Sequence, residues 1–328
     1  MSAPEAATER SAQPQGTAAQ RVRVAVLTAA SWLACRLPEG AIDGVATVLG
    51  AAWYRVTPAR AAQARRNLAR VAGYLAANDE AVDPRVRQAA TDPRALESLV
   101  RSAYRHAIRY YLDMTRVPAV GERMLRERLT IETPDVVERA FSGGRPVIFV
   151  GLHFGVIELP ALYLARRTRR ITTVPMETLG DPALQAWIVR TRSQAGLRIV
   201  GLAEARRELR AALDRGESIG LIGDRDLTGN GVPTRLFGFP ARLPAGPAVL
   251  AVESQAPIFV AAVRRAPGGG WRGHLREVRV PDEGPRRERV ASVLEDIARA
   301  FEASVAAAPD QWWTVFHPIW DDLAGSNQ

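Results

Sequence analysis

From about Leu129 onward, short apolar runs alternate with stretches of helical character, an alternation that calls for βα units around a largely parallel sheet. The pattern predicts strands near 129–132, 146–150, 171–174, 198–200, 218–222, 257–263 and 273–280. Helices are expected over 134–141, 155–167, 182–195, 203–215 and 247–254, with 287–307 closing the core. Before Leu129 helical signals dominate: Pro58 starts a segment through Val71 and Pro93 another through Arg116, with 76–91 partly loop. The fold class is therefore α/β, a mostly parallel central sheet flanked by helices, with a helical N-terminal section. No internal repeat is visible, and no glycine-rich phosphate loop or dinucleotide fingerprint follows a strand.

The chain has 328 residues and is 47% hydrophobic, enough to bury a sizeable core. Residues 1–20 and 323–328 lack apolar periodicity and are expected to be tails. Between them, 21–322 is expected to form one domain, helical over 21–120 and α/β over 121–322. Two apolar segments, 22–35 and 41–54, fall short of the about 20 uninterrupted apolar residues of a spanning helix. They are expected to pair as helices. With flanking arginines they suit docking on a membrane surface, and an ordinary helical hairpin on the core fits equally well. Glu5 and Glu9 in the leader argue against a cleavable signal.

The net charge is +9, and all 44 basic residues are arginine. A basic surface attracts phosphate in nucleic acid, in anionic lipid or in a nucleotide. Charge alone does not choose among these, but no nucleic-acid module accompanies it, so no nucleic-acid partner is expected. Cys35 is the only cysteine, which excludes an intrachain disulfide and a multi-cysteine metal site; no zinc motif is present and no metal is expected.

Chemistry concentrates at two expected strand ends. His153 lies just past the run 146–150, bracketed by Gly151 and Gly155, with Glu158 five residues on. An imidazole titrates near neutral pH, and a carboxylate can fix its tautomer. In one continuous helix residues five apart stand roughly 140° apart, so His153 must lie on the strand-to-helix turn for Glu158 to reach it. The second cluster, Gly223-Asp224-Arg225-Asp226-Leu227, follows the strand 218–222. In a parallel sheet it shares the rim with His153, where such sheets bind ligands. The competing readings are a structural histidine and a polar surface turn.

The order His153-x4-Glu158, Arg192-Ser193-Gln194-Ala195-Gly196, Asp224-Arg225-Asp226-Leu227, Phe237-Gly238 and Leu243-Pro244-Ala245-Gly246-Pro247 resembles the bacterial lipid A biosynthesis acyltransferase family. The nearest branch is that of the actinobacterial phosphatidylinositol mannoside acyltransferases, whose segment at Arg66-Asn67-Leu68-Ala69-Arg70-Val71 is also similar. The ending Asp310 to Trp320 differs in detail from that branch. The resemblance implies a glycerolipid-acyltransferase-like fold and transfer of a fatty acyl group from acyl-CoA or acyl carrier protein to a hydroxyl of a glycolipid. It implies no cofactor, and a peripheral place on anionic lipids at the cytoplasmic face of the inner membrane. In it His153 acts as base and Glu158 or Asp224 orients the ring. Glu177, Arg192, Arg225, Asp226, Phe237 and Gly238 are implied on the substrate side, and backbone N–H groups near Gly155 are a candidate oxyanion site. The same machinery would also serve another glycolipid or a lysophospholipid; the rival of another class is a non-catalytic lipid-binding protein. A hydrophobic groove is expected, with Trp187, Phe237, Phe239, Trp312, Trp313, Phe316 and Trp320 as candidate lining.

Overall fold

The computed structural model describes residues 16–168, 171–194, 196–226 and 229–324. Thr17 caps the first helix, α1 (Ala18–Ala34), through a reciprocal pair of bonds with Gln20, so order begins earlier than residue 21. Residues 1–15 and 325–328 of the expected tails lie outside the described residues. Then come α2 (Glu39–Val56), α3 (Pro58–Asn78), the short α4 (Pro84–Ala89), α5 (Pro93–Arg116) and α6 (Glu122–Arg128). Proline in the first turn starts α3, α4 and α5, and Asp92 caps α5 by accepting from Arg94 N.

Helix α5 organises this half. Leu99, Val100, Ala103, Tyr104 and Ala107 recur at helical spacing and are buried. Both α1 and α2 pack on α5 rather than forming the expected pair with each other. Gly50 permits the α2 contact, since a Cβ there would stand 2.9 Å from the backbone of Arg105. Arg109 of α5 is almost fully buried and paired with Glu39 and Asp43 of α2, and with Asp113 at 3.1 Å. Arg265 closes the cluster on Asp113.

The α/β half runs β1 (Leu129–Ile131), α7 (Pro134–Ser142), β2 (Ile148–Gly151), α8 (Glu158–Thr168), β3 (Thr172–Met176), α9 (Pro182–Gln194), β4 (Leu197–Gly201), α10 (Ala205–Asp214) and β5 (Ser218–Ile222). A hairpin, β6 (Val232–Leu236) and β7 (Phe239–Leu243), precedes α11 (Gly246–Ser254), β8 (Ile258–Arg265), β9 (Trp271–Val278) and α12 (Arg286–Ala306). The sheet order is β1-β9-β8-β2-β5-β3-β4, parallel at every pairing except the antiparallel β8 with β9. Helices α7 and α8 lie on one face, and α10, α11 and α12 on the other. Strand β2 is central, flanked by β8 and β5, and Gly151 at its end pairs with Ile222 at the end of β5. The two segments singled out for chemistry thus leave adjacent strands on one rim.

Candidate active site

Past β2 the chain makes a three-residue turn with His153 at its middle, closed by Phe154 N donating to Leu152 O at 2.7 Å. Phe154 then bridges to Trp312, and Gly155 turns the chain toward α8 with φ of 55°. A Cβ on Gly155 would fall 2.0 Å from the carbonyl oxygen of Val263. Only glycine fits. The neighbouring N–H groups are spent on structure: Gly155 donates to Gln311 O and Val156 to Val263 O, each at 3.0 Å. The oxyanion site expected there is therefore occupied by the protein's own carbonyls.

Of the two carboxylates offered to His153, the structure brings up Asp224. Its Oδ1 stands 2.7 Å from His153 Nδ1, and its Oδ2 accepts the backbone N–H of the same histidine at 3.0 Å. Two further donors converge on Oδ2, Trp312 Nε1 at 2.8 Å and Thr314 Oγ1 at 2.7 Å. Burial opposes the charge on Asp224, but the facing His153 imidazole and the bonds from His153, Thr314 and Trp312 outweigh it and hold the carboxyl below its ordinary value. A carboxylate only accepts, so Nδ1 carries the proton and Nε2 is left with its lone pair. The ring stands edge-on to Trp313, centroids 4.8 Å apart, with its side chain 24% exposed.

Glu158 faces elsewhere. It is buried at the start of α8, accepts from Tyr110 Oη at 3.1 Å and lies 3.4 Å from an Arg192 guanidinium nitrogen. Burial and the adjacent Glu158 push the Tyr110 hydroxyl well above its ordinary range. Burial works against the charge on Arg192, but Glu158 and Tyr110 outweigh it and raise its affinity for the proton. These three side chains tie α5, α8 and α9 together beside the histidine. Tyr110 also stacks on Trp313, 4.5 Å between centroids.

Two cavities lie near the pair, one lined by Leu152 and Phe154 on either side of His153 and the other by Asp224 itself. One, of about 120 Å³, runs between α8 and the sheet, with Phe149, Phe154, Leu164, Val174 and Leu221 in its wall and Glu158 and Arg192 contributing polar atoms. Its apolar wall is not built from the tryptophans that the sequence nominated: Trp187, Trp312 and Trp320 are buried in packing. The other, of about 460 Å³, is polar and lined by Asp224, Arg225, Asp226, Arg242, Thr314 and His317. Burial and the charge of Arg225 push the His317 imidazole down to about 4, so it is neutral in this recess at neutral pH.

The remaining sequence candidates are dispersed. Asp226 accepts from Gly231 N at 2.6 Å and shapes its own loop; Leu227 of that motif lies outside the described residues. Glu177 is exposed past β3. Phe237 and Gly238, nominated for substrate, form instead the tight turn between β6 and β7, both at positive φ. Phe237 is buried among Tyr74, Trp312 and Trp320, so it has no surface to offer a ligand. Thr314 was not legible as a site residue and Trp312 was nominated only as groove lining: nothing in their spacing reports that both hold Asp224 from about ninety residues away.

Residues 17–321 match the family described as bacterial lipid A biosynthesis acyltransferase, and the chain belongs to it. It is an acyltransferase of that family. Among similar proteins, the phosphatidylinositol mannoside acyltransferase of Mycolicibacterium smegmatis is 29% identical over 298 residues, 89% of this chain and 90% of its own length. That of Mycobacterium tuberculosis is also 29% identical, over 308 residues, 92% of this chain and 90% of its own.

Proposed function

We propose that this acyltransferase moves a fatty acyl group from a thioester, acyl-CoA or acyl carrier protein, onto a sugar hydroxyl of a phosphatidylinositol mannoside. The observation that carries the reading is the 2.7 Å contact of His153 with Asp224, the histidine's chain neighbours Leu152 and Phe154 lining an apolar cavity. The fatty chain occupies that cavity, and the polar recess beyond Asp224, with Arg225, takes a charged head. His153 Nε2 removes the proton as the acceptor oxygen attacks the thioester carbonyl, while Asp224 stabilises the imidazolium. The tetrahedral intermediate then expels the thiolate, which takes the proton back from His153. An ester and a free thiol result, with no acyl-enzyme.

The acceptor and donor are membrane lipids or carry lipid chains, so the enzyme works peripherally, at the cytoplasmic face of the inner membrane. No described helix is long and apolar enough to cross a membrane. Support for docking comes from Val22, Val26, Trp32 and Leu33 of α1 and Val45, Val48, Leu49 and Val56 of α2, all exposed. With radiolabelled acyl-CoA and extracted glycolipid, His153→Ala is expected to lose about two to four orders of magnitude in turnover with donor binding kept. Undiminished turnover would reject the mechanism.

A further inference from the structure

Between α2, α4 and α5 lies a cavity of about 560 Å³, distinct from the two beside His153 and Asp224. Arg55 of α2, Arg85 of α4, and Arg101 and Arg105 of α5 line it, with Gln88 and Ser98 between them. Their pairing is incomplete. Arg85 meets Asp83 at 2.9 Å, and Arg101 comes only within 3.8 Å of Glu97. Arg55 reaches the Ala51 carbonyl of its own helix, and Arg105 reaches Ser102 Oγ and His106 Nε2. Among the described residues neither closes on a carboxylate, whereas surface arginines elsewhere, such as Arg123 and Arg210, do. One acid lines the cavity, Asp310, which is buried, takes the Ser102 hydroxyl at 2.6 Å and stands 3.6 Å from His106. The cavity thus carries net positive charge, with Arg55 and Arg105 left to supply it.

Its position on α2 matters as much as its charge. Thr47, Ala51 and Arg55 face the cavity, and their immediate neighbours Val48 and Val56 are 68% and 74% exposed. Consecutive helix residues stand about 100° apart, so an arginine-lined recess runs alongside an uncovered apolar stripe. A free phosphate would use the guanidinium forks but has no use for the stripe. A lipid uses both. The volume also exceeds that of a phosphate alone and admits a polar alcohol attached to it.

We propose that this cavity holds the phosphodiester headgroup of an anionic membrane lipid, with Arg55 and Arg105 on the phosphate and the valines of α2 in the adjoining apolar layer. The site rests on the peripheral membrane association proposed above and adds to it a defined lipid contact away from the reacting atoms.

The test is co-sedimentation of the full chain with phosphatidylcholine vesicles, with and without phosphatidylglycerol. The wild type, the double variant Arg55→Gln/Arg105→Gln and a charge-matched control on exposed α10, Arg206→Gln/Arg207→Gln, are compared. The cavity variant is expected to lose about tenfold in affinity for the anionic vesicles while keeping its affinity for neutral ones, and the control to lose much less. Equal losses in the two variants would reduce the effect to bulk charge and overturn the site. Wild-type protein that binds neither vesicle would sink the membrane reading itself. A rise in the wild-type melting temperature with inorganic phosphate, absent in the cavity variant while vesicle binding is untouched by the substitution, would overturn the lipid in favour of a soluble anion.

Discussion

Asp224 carries the heaviest polar load of any side chain at the site, because its Oδ2 alone takes three donors while Oδ1 is given to the imidazole. Such a carboxylate is fixed in place and ionised before any substrate arrives. Asp224→Asn keeps the volume but offers Nδ1 no charge to lean on. Its turnover is expected to fall at least about a hundredfold. Because His153 and Asp224 act as one unit, the double variant Asp224→Asn/His153→Ala should be hardly slower than His153→Ala alone. Multiplying losses in single-turnover assays would show two independent contributions. The sequence nominated both residues by their position at strand ends, and left Glu158 in contention because it is nearer along the chain. The choice depended on where the start of α8 aims a side chain, which spacing does not report: Glu158 turns toward Tyr110 and Arg192.

Among the elements, the strand 218–222 was readable to the residue, and the other six sheet strands to within a few, since β-branched runs between helical patterns say so directly. The hairpin β6–β7 was not. Each of its strands contains a proline, Pro233 and Pro240, and its turn uses Phe237 at positive φ where asparagine or glycine is the usual sign. Burial of the ring against Tyr74, Trp312 and Trp320 offsets the strain. The junction of α2 with α5 makes a different kind of prediction. Burial works to raise the Glu39 carboxyl, but Arg109 and Arg116 outweigh it and bring it down from 4.5 to about 2. A depressed acid contributes stability that is complete above its unfolded value and lost as the pH falls through the folded one. Glu39→Gln is therefore expected to cost about 1 kcal/mol or more near neutral pH, after allowance for solvent screening, with the deficit closing between pH 4.5 and about 2. Urea midpoints measured across that range check it; a deficit constant with pH would show that the carboxylate's charge is not what matters.

At the scale of the whole molecule, the N-terminal helices present apolar side chains to solvent while the α/β half holds the reacting pair. Composition foresaw the exposed helices only as one of two readings, because an apolar helix buried on a core and one laid on a bilayer share the same residue types. Trp32 and Leu33 are exposed rather than buried on the core, which is what the proposed docking draws on. Trp32→Ser/Leu33→Ser is expected to weaken binding to neutral vesicles severalfold in a way that raising the salt does not reproduce, because apolar transfer is not screened. Loss of binding in salt alone, with the double variant unaffected, would assign attachment to charge.

The cluster around Arg109 limits how this protein can be shortened for handling in water. Cutting away α1 and α2 to be rid of their greasy surface would also remove Glu39 and Asp43, uncover the face of α5 they pack on and leave Arg109 and Arg265 to share Asp113. The broken ion-pair cluster and the apolar face of α5 laid bare with it would undo what the cut was meant to gain. A tamer version is better sought by repainting the outer side chains of these helices and keeping their backbone where it is.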